Sequence, residues 1–231
     1  MKHPKKTESE VVKYKDWESV NERLDNVNIT FKDDHYPTAD RSIYPVTLKH
    51  NWDFRTLISE PLLSDAECDW IISQFEEDKE EPDKTIAQTD YDYRKCTLNW
   101  IAYYQPKWEW LFDKILPFVE EINKEIFKFD LTSPITCESL QLTKYKSGDY
   151  YDLHTDWTGG TILDTRKLSF SIDLSDPSDY RGGGLEVYGL NSNKQKGFIH
   201  IFPSFLQHKA IKVRRGTRFS LVGWIAGPPF K

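Results

Sequence analysis

Seven short segments with the composition of β-strands occupy the chain after Leu131, and they constrain the fold more than any other feature. Turn-forming runs such as Gly159-Gly160 and Gly182-Gly183-Gly184 separate them. The segments cover residues 139–145, 150–157, 167–174, 185–189, 197–202, 207–213 and 218–224. Strands of this length and spacing are typical of a β-sandwich or a barrel.

Two helical patterns precede these segments. Ser64 and Glu67 form a capping box that predicts the start of a first helix. Apolar residues then recur at steps of three or four from Trp108 to Ile126, with Pro117 inside the pattern, where it is expected to kink or split a second helix. Residues 84–103 have a strand-like composition. The order predicts an α+β, mainly β, protein with helices packed on one face of a double-sheet barrel.

The first 50 residues contain few apolar side chains and are predicted to form a partly ordered extension. One possible short helix carries Trp17, Val20, Leu24 and Val27 on a single stripe. The chain of 231 residues is long enough for one sizeable domain beside such an extension. We therefore expect an N-terminal extension over residues 1–50 and a single domain over residues 51–231.

Charge and hydropathy narrow the classes of partner. The chain has 31 Lys and Arg against 37 Asp and Glu, a formal net charge of −6, which argues against a general nucleic-acid-binding surface. No run of 18 apolar residues is present, and the N-terminal residues lack the apolar core of a secretory signal. We therefore expect neither nucleic acid nor a membrane as a partner.

The three cysteines are Cys68, Cys96 and Cys137. They are far apart and form no CxxC pair, which disfavours a thiolate zinc site. An odd number of isolated cysteines is typical of reduced thiols, so we expect a cytoplasmic protein.

His154 and Asp156 lie two residues apart on a predicted strand, so both side chains should point to one face. His208 lies on a later strand, which a barrel can bring close to that pair. Two histidines and one carboxylate on one face of a metal form the facial triad of non-haem Fe(II) oxygenases. His200 also lies in a strand, and we interpret it as a core or outward-facing residue.

The last predicted strand carries Arg218, Ser220 and Trp224 with the same parity. A guanidinium beside a hydroxyl suits a carboxylate ligand, and Trp224 could wall the same pocket. Tyr145 ends an earlier strand, nine residues before His154, and its hydroxyl could reach a bound carboxylate. Taken alone, Arg218 could equally be a surface strand residue and Tyr145 a core residue.

The motifs together resemble the 2-oxoglutarate- and Fe(II)-dependent dioxygenases of the prolyl 4-hydroxylase-like branch. The resemblance covers about residues 57–227 and implies a double-stranded β-helix, or jelly roll. The matching motifs are Leu142-Thr-Lys-Tyr145, His154-Thr-Asp156, the 166–177 and 180–186 segments, Phe202-Pro-Ser204, His208 and Gly216-Thr-Arg218-Phe-Ser220. Gly184 departs from the pattern, because relatives often have Glu after the Gly-Gly turn.

The resemblance implies that His154, Asp156 and His208 bind Fe(II). It implies further that Arg218 pairs with the distal carboxylate of the cosubstrate 2-oxoglutarate, assisted by Ser220 and Tyr145. The activity it implies is hydroxylation of a substrate C–H bond by a ferryl oxidant, with succinate and CO2 as products, and it brings in ascorbate as a possible accessory.

Prolyl residues of a protein or peptide are the leading candidate substrate. A different amino-acid target, a small molecule and a non-catalytic jelly-roll binding module remain alternatives, while a nucleic-acid demethylase and a zinc hydrolase fit the motifs less well. By resemblance, Tyr91, Tyr93, Arg94 and Trp100 could border the substrate, or they could be ordinary strand residues. The sequence leaves the oligomeric state open.

Overall fold

The computed structural model describes residues 57–75, 93–157 and 162–230. The expected extension over residues 1–50 lies outside the described residues, so the division at residue 50 stays a prediction. Two α-helices are present in the described part: α1 (Asp65–Ser73) and α2 (Glu109–Ile122), the second continued by a π-helical turn over Asn123–Phe127.

The described residues contain thirteen strands. In chain order they are β1 (Ile58–Pro61), β2 (Arg94–Lys95), β3 (Thr97–Ile101), β4 (Leu140–Tyr145), β5 (Tyr150–His154), β6 (Arg166–Asp173), β7 (Tyr180–Gly182), β8 (Leu185–Val187), β9 (Leu190–Asn191), β10 (Phe198–Pro203), β11 (His208–Ala210), β12 (Val213–Gly216) and β13 (Arg218–Ala226). Short 3₁₀ turns occur at Pro106–Trp108, Ile162–Thr165 and Pro177–Asp179.

The strands form two main antiparallel sheets and one small pair. The larger sheet has the order β1-β10-β6-β13-β4-β3, the smaller has the order β2-β5-β11-β8-β9, and β12 pairs with β7. The described part of the chain is therefore mainly β with few helices, and its fold is the jelly roll that the sequence predicted.

Alternation along the larger sheet separates an apolar face from a polar one. Leu142, Phe170 and Leu221 belong to one buried cluster with helix residues such as Ile71 and Phe112. The intervening positions on the same strands are polar and also buried, among them Gln141, Thr143, Ser169, Ser171, Asp173, Arg218 and Ser220. Since side chains alternate across a strand, the helices cover one face and the polar positions turn toward the smaller sheet.

The capping box is present as predicted. The Ser64 hydroxyl accepts from the Glu67 backbone N–H, and the Glu67 carboxylate accepts from the Ser64 N–H. Of the two expectations at Pro117, the split is wrong, because α2 runs unbroken through that residue, and the kink stays a prediction. Buried residues on both sides of it, Leu111 and Ile115 before and Val119 after, pack in the core, and this packing outweighs the hydrogen bond that proline cannot donate.

The predicted strand over 207–213 is two strands. His208–Ala210 joins the smaller sheet, whereas Val213–Gly216 pairs with Tyr180–Gly182. The glycines at 182 and 216 make this pairing possible. Both have positive φ, and a Cβ at either position would lie within 2.4 Å of a backbone oxygen.

Candidate active site

Strands β5 and β11 bring the three predicted metal ligands together. His154 ends β5, His208 begins β11, and the two are directly paired across the sheet. Asp156 lies two residues beyond the end of β5. Its carboxylate oxygens are 3.7 Å from His154 Nε2 and 3.2 Å from His208 Nε2. The three donor atoms all lie within 4.8 Å of one another.

Backbone carbonyls set the orientation of both imidazoles. His154 Nδ1 is 2.7 Å from the Asp152 carbonyl oxygen, and His208 Nδ1 is 2.9 Å from the Leu206 carbonyl oxygen. Because a carbonyl oxygen only accepts, each Nδ1 carries a proton, and Nε2 is the nitrogen that each ring directs toward the cluster. The Tyr151 ring stacks on His154 at 3.6 Å between centroids and holds that ring in place.

Asp156 is held by groups that the sequence analysis did not single out. Its Oδ2 accepts from the Ser169 hydroxyl at 2.7 Å, and its backbone N–H donates to the Ser204 carbonyl. Ser204 belongs to the Phe202-Pro-Ser204 motif, but Ser169 has no motif of its own. Only the position of Ser169 on the inward face of β6 could have indicated that it contacts Asp156.

The electrostatics of the cluster suit a cation. Burial lowers the pKa of His154 to about 4, with the nearby His208 contributing, so His154 is neutral near pH 7. Burial would raise the pKa of Asp156, yet the two histidines and Ser169 hold it well below its usual range. Burial opposes the charged form of His208, but Asp156 outweighs burial and raises its pKa. The neutral His154 and the ionised Asp156 are in the form that binds a metal, whereas a cation would have to displace the proton that Asp156 favours on His208.

The donor set fits Fe(II). Two imidazole nitrogens and one carboxylate are the ligands of the facial triad, which leaves positions open on the metal. Two ligand atoms that each lie about 2.1 Å from one ion, at right angles to each other, would be roughly 3 Å apart. The distances between the histidine Nε2 atoms and the Asp156 oxygens, 3.2 and 3.7 Å, are close to that value.

A cleft extends from this cluster between the two sheets. Its lining includes all four residues proposed from the sequence as cosubstrate contacts: Arg218, Tyr145, Ser220 and Trp224. Arg218 is directly paired with Tyr145 across the sheet, and its guanidinium carbon lies 5.7 Å from the Tyr145 ring centroid. The Trp224 indole N–H is buried and has no hydrogen-bond partner among the described residues.

Arg218 has a resident partner that the sequence analysis missed. Its Nη2 donates to Asp173 Oδ1 at 2.6 Å, and both side chains are buried. This partner comes from the strand predicted over residues 167–174, for which the sequence analysis named no site residue. Asp173 is the acidic residue of that strand and lies on its cleft side. Its spacing of two and four residues from Ser171 and Ser169 could have indicated this position, because side chains alternate along a strand.

Two further arginines line the cleft. Arg166 makes a bidentate ion pair with Glu138 and stacks over Trp224 at 4.0 Å. Arg94 donates to Gln141 at 3.0 Å and lies over the Tyr151 ring.

The other residues that were expected to border the substrate lie in different environments. The Tyr93 hydroxyl donates to the Leu153 carbonyl beside His154. Trp100 is 42% exposed and does not line the cleft, although its ring lies 6.5 Å from that of Trp224. Tyr91 lies outside the described residues. His200 is a core residue, with no exposed surface.

The fold and the site define the class of protein: a jelly-roll domain with a two-histidine, one-carboxylate cluster at one end of a polar cleft. Residues 140–226 match the family model of the 2OG-Fe(II) oxygenase superfamily.

Curated relatives carry the name PKHD-type hydroxylase. One from Prochlorococcus marinus is 30% identical over 113 residues, which are 46% of this chain and 50% of the relative. Another from Synechococcus elongatus is 33% identical over 99 residues, 40% of this chain and 44% of the relative. The chain thus spans about half the length of the curated relatives that it matches.

Solved structures of prolyl hydroxylases share the fold. The viral collagen prolyl hydroxylase from Paramecium Bursaria Chlorella virus-1, in its 2OG complex, superposes with a TM-score of 0.58 at 19% identity, over 74% of this chain and 96% of that one. A Trichoplax adhaerens prolyl hydroxylase in complex with a hypoxia inducible factor peptide superposes with a TM-score of 0.60 at 13% sequence identity, over 75% of this chain and 84% of that one. Among the described residues, neither helix has the length and apolarity needed to span a bilayer.

Proposed function

We propose that the protein is a 2-oxoglutarate- and O2-dependent hydroxylase that acts on prolyl residues of a protein or peptide. The observation that carries the proposal is that two imidazole Nε2 atoms and an ionised carboxylate converge at one end of a cleft that also holds the buried Arg218. A cation site and an anion site in one cleft suit a cosubstrate that chelates a metal and carries a second carboxylate.

His154, Asp156 and His208 would hold Fe(II), and Arg218, with Tyr145 and Ser220, would orient the distal carboxylate of 2-oxoglutarate. The metal, when bound, would supply activation of O2, with 2-oxoglutarate as the electron donor, so that one oxygen atom goes to the substrate C–H bond and the other to succinate. The chain's own contribution is positioning: backbone carbonyls fix both imidazoles, and Ser169 fixes Asp156. The low exposure of all these groups keeps water from the reacting atoms.

The substrate proposal rests on the relatives. The curated relatives are named hydroxylases, and the superposed structures are named prolyl hydroxylases, one of them with a peptide. Trp100 does not line the cleft, but it is 42% exposed and its ring lies 6.5 Å from that of Trp224, so it offers aromatic surface near the cleft. Three free cysteines among the described residues support a reducing compartment such as the cytoplasm.

The direct test is turnover. The purified protein, supplied with Fe(II), 2-oxoglutarate and ascorbate, should release succinate faster in the presence of proline-containing peptides, and the peptide should gain about 16 Da by mass spectrometry. Asp156→Ala should abolish this turnover and Mn(II) binding, because a charged ligand is lost. Asp113→Asn, on the exposed face of α2, is the control and should behave as wild type. Succinate release without any peptide gaining mass would leave an oxygenase with a different substrate.

Arg218 is tested by conservative replacement. Arg218→Ala would leave the buried Asp173 without its partner, so Arg218→Lys is the cleaner variant. It should raise the 2-oxoglutarate requirement on the order of 10-fold or more, since a point charge replaces a bidentate fork and a charge-assisted hydrogen bond contributes about 1.5–3 kcal/mol. Mn(II) affinity should change little. An equal loss of metal and cosubstrate binding would mean that Arg218 is a structural residue.

A further inference from the structure

A chain of buried polar groups runs behind Arg218. Arg218 Nη2 donates to Asp173 Oδ1 at 2.6 Å. The other oxygen, Asp173 Oδ2, lies 3.1 Å from His200 Nε2, and His200 Nδ1 lies 2.8 Å from the Ser59 hydroxyl. The four residues sit on β13, β6, β10 and β1, which are consecutive neighbours in the larger sheet.

Three of these four residues are deeply buried. Arg218 is 3% exposed, Asp173 is 1% exposed and His200 has no exposed surface. Burial would raise the pKa of Asp173, but Arg218 and His200 outweigh burial and hold it below its usual range. A buried ion pair rarely adds more stability than apolar side chains of similar volume, because desolvation offsets the attraction. Stability alone therefore does not account for this network, whereas a need for a fixed guanidinium does.

The pairing leaves part of the guanidinium available. Asp173 accepts from Nη2 and the Tyr180 hydroxyl also contacts the guanidinium, while the buried Arg218 Nε has no hydrogen-bond partner among the described residues. Arg218 also lines the cleft that contains the metal-ligand cluster. A buried N–H donor without a partner is costly, and a carboxylate arriving through the cleft would satisfy it.

We propose that Asp173, supported by His200, is a positioning residue that fixes how far the Arg218 guanidinium reaches into the cleft, and thereby selects the chain length of the dicarboxylic 2-oxo acid. The inference rests on the proposed function, in which Arg218 holds the distal carboxylate. The ligand must bridge two fixed points, the metal at the His154, Asp156 and His208 cluster and the guanidinium of Arg218. A ligand whose length matches the distance between these two points is then bound more tightly than a longer or shorter one.

A length-selection test separates this role from simple electrostatics. Asp173 is negative, so it also repels an incoming carboxylate, and removing its charge could strengthen binding of any dicarboxylate. That repulsion acts about equally on 2-oxoglutarate and on 2-oxoadipate, which is one methylene longer. The ratio of the two dissociation constants therefore reports the position of Arg218 with the charge effect cancelled.

The experiment measures both dissociation constants by calorimetry on the full chain loaded with Mn(II), so that no turnover occurs. Wild type should favour 2-oxoglutarate roughly 10-fold or more, as one methylene in a fitted site allows. Asp173→Asn should reduce that preference on the order of 10-fold, because the guanidinium is no longer fixed. His200→Gln should reduce it in the same direction but less, since Asp173 itself remains.

Asn123→Ala is the matched control. Asn123 is buried and bonds to the Phe129 backbone, so its loss removes buried hydrogen bonds outside the cleft lining. It should lower stability and leave the length preference intact. If Asp173→Asn does not fold, His200→Gln decides the question on its own.

The outcomes are distinct. A wild-type protein that binds 2-oxoglutarate without length preference, or an unchanged preference in the folded Asp173 and His200 variants, overturns the positioning role and leaves the proposed function standing. No binding of 2-oxoglutarate by wild type overturns the proposed function and this inference together. A reduced preference in the Asp173 and His200 variants, with the Asn123 control unchanged, supports the inference.

Discussion

Asp173 links the candidate site to the acid stability of the protein. Its pKa is held below the ordinary value by Arg218 and His200 in spite of burial. A carboxyl whose folded-state pKa lies below its unfolded value, about 3.9, contributes stability above that pH. The contribution is lost as the pH falls from about 4 toward the folded-state pKa, because the unfolded state then binds the proton more readily.

We expect wild type to lose more unfolding free energy between pH 6 and pH 3.5 than Asp173→Asn, which has no carboxyl to protonate at that position. Urea titrations at the two pH values measure the difference. Asp69→Asn provides the comparison, because its side chain is 66% exposed and pairs only at the surface with Lys196. Equal acid sensitivity of wild type and Asp173→Asn would show that the buried ion pair does not couple to folding.

Site residues could be predicted from the sequence where the alternation of side chains along a strand relates their positions. His154 and Asp156 are two apart, and Arg218, Ser220 and Trp224 share the parity of one strand, so alternation alone placed them toward one region. Their roles as ligands and cosubstrate contacts remain predictions. Asp173 and Ser169 could not be assigned roles, because their partners are set by the register between β6, β10 and β13. No local pattern in the sequence encodes that register.

Among the elements, β13 tolerates little added volume at Gly223. An added Cβ at Gly223 would lie 2.4 Å from Phe170 Cζ and 2.6 Å from Leu140 Cδ2. Both neighbours have no exposed surface and belong to the cluster between the larger sheet and the helices. The bare backbone at Gly223 thus lets the Phe170 ring lie flat against the strand.

Gly223→Ala should lower the free energy of unfolding by about 1–3 kcal/mol, the usual cost of overpacking a core. Urea denaturation measures it, and Phe170→Leu combined with Gly223→Ala should cost less than the sum of the two single changes, because the smaller side chain makes room. Additive effects in this double-mutant cycle would mean that the two positions do not compete for the same space.

The longer elements could be predicted because their patterns repeat over several residues. Both α-helices and the strands of the larger sheet from β4 onward appear where periodicity indicated. The strands that the sequence analysis did not resolve are two to four residues long, such as β7, β9 and β12. These elements are defined by a partner strand and by positive-φ glycines at 182, 189 and 216. A two-residue segment has too little periodicity to indicate a strand without that partner.

At the scale of the whole molecule, a negative net charge coexists with a cleft rich in guanidinium groups. The chain carries a formal charge of −6, and the cleft is lined by Arg94, Arg166 and Arg218, with Asp156 as the only acidic residue among the described residues of its lining. Because Glu138 and Asp173 offset the charges of Arg166 and Arg218, guanidinium N–H donors at short range, rather than a net positive charge, attract an anionic ligand that the molecule repels at long range. Salt screens the long-range repulsion more than the attraction inside the cleft.

The N-terminal residues differ in how much they can contribute to the stability of the domain. Residues 1–14 are mostly charged or polar, with Val11, Val12 and Tyr14 as the sizeable apolar side chains after Met1. Ordering them would cost roughly 1–2 kcal/mol per residue, which so little apolar surface cannot offset. The stripe over residues 17–27 is different, because an apolar helix face can dock on another element.

We therefore expect removal of residues 1–14 to leave both the melting temperature and succinate release nearly unchanged. Removal of residues 1–30 should lower the melting temperature, since it also removes the stripe of Trp17, Val20, Leu24 and Val27. Thermal unfolding and succinate release, measured on both truncations beside the full chain, test the two expectations. Loss of turnover already in the shorter truncation would instead assign the first residues to the active site or to a substrate lid, and the interpretation of this segment as a passive extension would be wrong.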